Sequence, residues 1–180
     1  MRRHWVIFLL LAAASVAQAQ TFNDFINHLD SIPETDRAAV VDSFMNAIDN
    51  RAPYLEFDTL CHFIYRGSAT SVGIYGDMNE WGDPVIALSK VSGTDFWYAN
   101  RIYEADARLD YKLVVNGNWI LDPLNPYQMP GGFGPNSELR MPAYVFPEEV
   151  NYLSPNPGTV SSYSLASDTL IYGNPRPYKI

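Results

Sequence analysis

The sequence predicts an all-β domain, a sandwich of short antiparallel strands, preceded by a short α-helical hairpin. Three observations carry this. Over residues 58–145, runs of β-branched and aromatic residues recur at short spacing, separated by clusters of Gly, Asp, Asn and Pro. Two of those runs are joined by Asn116-Gly117, the pair that a two-residue type I′ hairpin turn needs, because both of its central residues take positive φ. Residues 20–52 instead repeat their apolar positions at a helical period. Many short antiparallel strands with a hairpin inside them define a β-sandwich of immunoglobulin-like type. A single cysteine, Cys61, excludes the Cys…Trp…Cys framework of antibody domains.

In chain order, residues 1–19 read as a signal peptide. Arg2, Arg3 and His4 form a basic start, Trp5 to Val16 an apolar run shorter than a membrane span, and Ala17-Gln18-Ala19 a small-residue cleavage site. The expectation is an exported chain, periplasmic or extracellular, free of the membrane after cleavage. Phe22, Phe25, Ile26 and Leu29 then form one helical stripe, and Ala39, Val40, Phe44, Ala47 and Ile48 a second. Thr21 ahead of Asp24, and Pro33 ahead of Glu34 and Asp36, mark the two helix starts, with acids where the helix dipole favours them. Strands are expected over 61–65, 71–75, 85–88, 96–102, 109–115 and 118–121, with a seventh over 139–145. Residues 146–180 read as a linker rich in Pro, Asn, Ser and Gly, with a β-prone piece from Tyr163 to Tyr172.

The chain carries 12 basic and 20 acidic side chains, a net charge of −8; without Arg2 and Arg3 it is ten against twenty, or −10. Such a field repels phosphate backbones and anionic surfaces, which argues against nucleic acid as a partner. No metal-ligand spacing is present, and no cofactor is implied: His28 and His62 stand apart, and Cys61 sits unpaired in an apolar run. A Gly-x-Ser-x-Gly nucleophile elbow is absent, and no two carboxylates are placed as an acid/base pair. The chain is therefore expected to carry no catalytic residues.

The hairpin register points to a ligand site. A tight turn pairs Val115 with Asn118, Val114 with Trp119, Leu113 with Ile120 and Lys112 with Leu121. Strand alternation then places Tyr111, Leu113, Val115 and Ile120 on the core face, and Lys112 and Trp119 together on the other. Trp81, in the turn Gly76-Asp77-Met78-Asn79-Glu80-Trp81, and Asn136, in a Gly- and Pro-rich loop, complete the set. Two indoles, an ammonium and a carboxamide suit a neutral sugar, whose C–H face stacks on flat rings while its hydroxyls need donors and acceptors. Plainer readings exist for each residue: Trp81 packing over the sandwich end, Lys112 solvating an edge, Asn136 capping a turn. Trp97 reads as core, and Asp77 and Asp122 as turn formers.

The order Gly76-Asp77-Met78-Asn79-x-Trp81, Tyr111-Lys112, Asn116-Gly117-x-Trp119-x-x-Asp122-Pro123, Asn136 resembles the carbohydrate-binding module of isoamylases, glycogen-branching enzymes and the β subunit of AMP-activated kinase. The resemblance implies that Trp81, Lys112, Trp119 and Asn136 contact an α-glucan. Gly132-Phe133-Gly134-Pro135 stands where the kinase branch carries a leucine. A second resemblance, through Phe63-x-Tyr65-x-Gly67, the Gly76 turn and Asn136-Ser137-Glu138-Leu139-x-Met141-Pro142, is to the N-terminal half of exported esterases of the enterochelin-esterase-like type. It implies an α/β-hydrolase partner, in cis or as a separate chain, and residues 173–180 look like the start of its first strands. Two functions are thus expected: a sugar-binding module of an exported esterase, or a structural module that packs on the hydrolase.

Overall fold

Sheet formation begins where the helices end. In the computed structural model, which describes residues 21–151, 155, 158–165 and 176–179, the helices α1 (Phe22–Ser31) and α2 (Glu34–Ala47) are followed at once by strand β1 (Tyr54–Glu56). The signal-peptide reading lies outside the described residues, as do 166–175 of the β-prone tail. Strands β2 (Leu60–Arg66), β3 (Val72–Gly76), β4 (Ile86–Ala87), β5 (Ser89–Lys90), β6 (Phe96–Ile102), β7 (Arg108–Val115), β8 (Asn118–Ile120), β9 (Gln128–Met129) and β10 (Asn136–Arg140) complete the first of two units, which runs to Tyr144. The second unit, Val145–Ile180, contains a 3₁₀ turn (Glu148–Asn151) and an antiparallel pair, β11 (Ser162–Leu165) with β12 (Arg176–Lys179). Among the described residues no helix is long and apolar enough to cross a membrane.

The strands form two antiparallel sheets. One has the order β1-β2-β6-β5, the other β4-β3-β7-β10-β9, with β8 pairing the far end of β7. Between them lies a core built by strict alternation: Cys61, Phe63, Trp97 and Ala99 from the first sheet meet Val72, Ile74, Tyr111, Leu113 and Leu139 from the second. The alternate residues of β2 and β6, Ile64 and Phe96, point the other way. They meet Phe22, Phe25, Leu29, Val41 and Met45 of the helices in a second apolar cluster. The first sheet is therefore covered on both faces, and the all-β sandwich carries its helical hairpin as a third layer.

Local chemistry explains most element boundaries. α1 opens on a reciprocal cap in which Asp24 N–H donates to Thr21 Oγ1 and Thr21 N–H to Asp24 Oδ2, both at 3.1 Å. Its stripe is buried as expected. On α2 Val41 and Met45 are fully buried and Val40, Phe44 and Ile48 partly so, while Ala39 and Ala47 stay exposed. The buried face is therefore centred part of a turn away from the expected stripe, whose Phe44 stacks on Phe25 at 4.0 Å and meets the Tyr54 and Phe96 rings of the sheet edge-on. Of the run expected over 85–88 only Ile86–Ala87 forms a strand, β4, which pairs with β3; β5 follows at Ser89–Lys90 in the other sheet, paired with β6, so the chain changes sheets at the buried Leu88. The strand expected over 139–145 lies instead over 136–140, since Pro142 has no N–H to continue a ladder.

Candidate ligand-binding site

The second sheet's outer face is organised by the β7–β8 hairpin. Asn116 (φ +52°) and Gly117 (φ +83°) form the tight reversal that the pair requires. The turn is tied down further: Asn116 Oδ1 accepts hydrogen bonds from Thr70 N–H at 2.8 Å and Thr70 Oγ1 at 2.9 Å. The register is Val115↔Asn118, Val114↔Trp119 and Leu113↔Ile120. There β8 stops, and β10 takes over the same side of β7, with Ser137↔Tyr111 and Glu138↔Asp110. The handover falls at Lys112. Continued by one residue, the β10 register sets Asn136 opposite Lys112, where the sequence alone had set Leu121.

On its other side Lys112 pairs with Tyr75 of β3, so Tyr75 shares its face. Trp119 reaches across β7 to stack on Tyr75, with ring centroids 5.0 Å apart and planes at 26°. Tyr75 is itself fixed by donating its hydroxyl to Asp83 Oδ1 at 2.7 Å, and that bond pushes its phenol above the ordinary value. Trp119 is therefore backed on one side by the Tyr75 ring, and remains 51% exposed.

Trp81 arrives from the turn after β3. Gly76 is needed there for close approach, since a Cβ would lie 2.4 Å from the Asp110 carbonyl oxygen of β7. Glu80 (φ +54°) and Trp81 (φ +58°) then take left-handed conformations, held by Trp81 N–H donating to Gly76 O at 2.9 Å. The indole Nε1–H donates to Asp77 Oδ1 at 2.8 Å. Asn136 is the first residue of β10, and its Nδ2 donates to Asp110 Oδ2 at 3.3 Å.

These placements bring all four expected residues together. Trp81, Lys112, Trp119 and Asn136 line one open cavity of about 490 Å³, joined by Gly132 and Phe133. Phe133 is fully exposed at the tip of its loop. Among the described residues no carboxylate pairs with Lys112, so the one full charge lining the cavity is positive. Chemically the cavity offers aromatic faces, an ammonium and a carboxamide. It contains no nucleophile next to a base.

Several residues that build the site escaped the sequence reading. Tyr75 was legible in hindsight, since alternation in β3 buries Val72 and Ile74 and must turn Tyr75 outward. Phe133, an aromatic flanked by glycines, carried a weaker signal. Asp77 is more than a turn former, because its carboxylate holds an indole. Asp122 also differs from its reading: it caps its own turn through Leu124 N–H at 2.9 Å, yet it is 2% exposed and accepts the Tyr111 hydroxyl at 2.6 Å. Burial, only partly offset by those hydrogen bonds, pushes its carboxyl up to about 6. His62 is buried against Phe22, with Nε2 2.9 Å from Glu56 Oε2, and burial pushes the Cys61 thiol far up. Neither is placed for chemistry. Among the described residues no group of three or more His, Cys, Asp or Glu is arranged to hold a metal ion.

Fold and site together define a helix-backed β-sandwich with an aromatic surface cavity. No family model and no curated protein matches the sequence. Among solved structures, the ferric enterobactin esterase of Salmonella typhimurium is similar at 18% identity, over 76% of this chain and 45% of that one, with a TM-score of 0.55. The enterobactin esterase of Shigella flexneri, crystallised with 2,3-dihydroxy-N-benzoyl-serine, is similar at 17% identity over 62% of this chain and 37% of that one, with a TM-score of 0.44. The chain spans less than half the length of either esterase, and at this identity the likeness is one of fold.

Proposed function

We propose that this chain is a non-catalytic saccharide-binding module, with an α-glucan-type ligand, that serves an exported esterase. The observation that carries the reading is the single cavity lined by Trp81, Lys112, Trp119 and Asn136. Trp119, backed by Tyr75, provides a rigid platform for the C–H face of a sugar ring, and Trp81 a second. Lys112 and Asn136 supply donors and an acceptor for hydroxyls. Few rings stack and several hydroxyls must be desolvated, so affinity for a short glucan is expected at roughly 10 µM to 1 mM, about −4 to −7 kcal/mol. Titration of maltoheptaose or β-cyclodextrin followed by tryptophan fluorescence tests this. Saturation in that range, abolished in Trp119→Ala, supports the reading; no response at millimolar ligand removes it.

The esterase association is supported by the fold shared with part of the Salmonella typhimurium enzyme. A structural role, packing on an α/β-hydrolase without binding sugar, is favoured by a different feature. Ala39, Val40, Phe44, Ala47 and Ile48 line an open groove of about 640 Å³ on the helical layer, away from the aromatic cavity. On that reading Ala47→Glu lowers the activity of a full-length esterase carrying this module, while Trp119→Ala leaves it unchanged.

A further inference from the structure

Of the six residues that line the cavity, Trp81, Lys112 and Asn136 are tied to one another through groups that do not line it. Asp77 Oδ1 accepts the Trp81 indole N–H at 2.8 Å, and Asp77 Oδ2 accepts the backbone N–H of Asp110 in β7 at 2.8 Å. Asp110 Oδ2 in turn accepts from Asn136 Nδ2 at 3.3 Å, while Asp110 Oδ1 pairs with Arg108 at 2.7 Å. Two residues on from Asp110, and so on the same face of β7, stands Lys112. One carboxylate therefore couples the Trp81 turn to the strand that presents Lys112 and anchors Asn136.

We propose that Asp77 is the positioning residue of this cavity, fixing the Trp81 indole relative to β7 so that the ring presents its face to the ligand. The proposal deepens the saccharide-binding reading and rests on it. Trp81 needs such a device, because it and Glu80 both hold left-handed backbone conformations, each unfavourable for an L-residue. The turn's backbone is held by Asn79, whose Oδ1 accepts from Gly76 N–H at 2.9 Å and whose Nδ2 donates to Ile74 O at 3.3 Å, so the direction of the indole is what the Asp77 tether adds. With it, the ring's single polar atom is committed to the protein, which leaves Trp81 as a purely apolar platform and excludes it as a hydrogen-bond donor to sugar. Asn136, with one N–H committed to Asp110, keeps its other N–H and its carbonyl oxygen for hydroxyls.

The test uses the full chain and the probes maltoheptaose and β-cyclodextrin. In Asp77→Ala, exchange of the Trp81 indole proton followed by NMR should accelerate at least 10-fold with Trp119 unaffected, and the dissociation constant should rise about 10-fold. On a Trp81→Ala background the same substitution should change affinity less than 2-fold, since there is no indole left to position. Asp77→Asn, whose amide keeps one acceptor, should fall between wild type and Asp77→Ala; it carries the test if the alanine variant does not fold. Wild-type indole exchange and affinity in both variants overturns the proposal, as does an equal loss with or without Trp81. Should the wild type bind neither probe, the saccharide reading alone is lost, and indole exchange decides whether Asp77 positions Trp81.

Discussion

Trp119 shows how a residue's role depends on what backs it. A half-exposed indole stacked on Tyr75 contributes little that truncation would remove from the core, so Trp119→Ala should change stability by less than about 1 kcal/mol. The same change should weaken glucan binding at least 10-fold, about 1.4 kcal/mol. Urea denaturation and ligand titration on the same variant separate the two effects. Asp122 behaves in the opposite way, because it is buried and its carboxyl is raised to about 6 from the usual 3.8. Between those values the folded state holds a proton that the unfolded chain has released, so stability falls as pH rises from about 4 to about 6 and is flat above. The span of roughly two pKa units corresponds to about 3 kcal/mol at most. Comparing wild type with Asp122→Asn across that range cancels the other carboxylates: the wild type should lose stability relative to the variant as pH rises. A parallel pair of curves would mean that Asp122 is not protonated in this window.

At the scale of elements, the β7–β8 hairpin was the most legible part of the chain, because Asn-Gly fixes turn type, turn type fixes register, and register fixes which side chains share a face. Gly117 sits at φ +83° with open space where a Cβ would be, so Gly117→Ala meets no clash and tests backbone conformation alone. It should destabilise the domain by about 1 kcal/mol, read as a lower urea midpoint with unchanged slope. The short edge pieces were illegible for a physical reason. Strands of two residues such as β4, β5 and β9 carry no period, and whether 86–90 stays in one sheet or crosses between two depends on partners far along the chain. The displaced stripe of α2 has the same origin: its apolar residues wrap more than one face, and only the sheet and α1 select Val41 and Met45 for burial.

For the whole unit up to Tyr144, the helices and the sandwich share a sheet, with Phe22 fully buried between them and flanked by Phe25, Phe44, His62 and Tyr98. The layers should therefore unfold together. Thermal melts followed by far-ultraviolet circular dichroism and by tryptophan fluorescence are expected to coincide, and Phe22→Ala should lower both midpoints together at a loss of about 3–5 kcal/mol. Two separated transitions would make the helical layer a dispensable appendage.

By itself the sequence determined what short-range chemistry dictates. Alternation, the Asn-Gly turn and the Thr21–Asp24 cap set the β-rich class, the helical start and the outward face that carries Lys112 and Trp119. Tertiary structure alone decided what depends on chain segments meeting from a distance. It closed Trp81 and Asn136 onto that face, set Tyr75 behind Trp119 and Asp77 behind Trp81, and buried the Asp122 carboxylate with Tyr111. Backbone propensity acts over a few residues, whereas a cavity and a desolvated carboxylate exist only where distant strands pack.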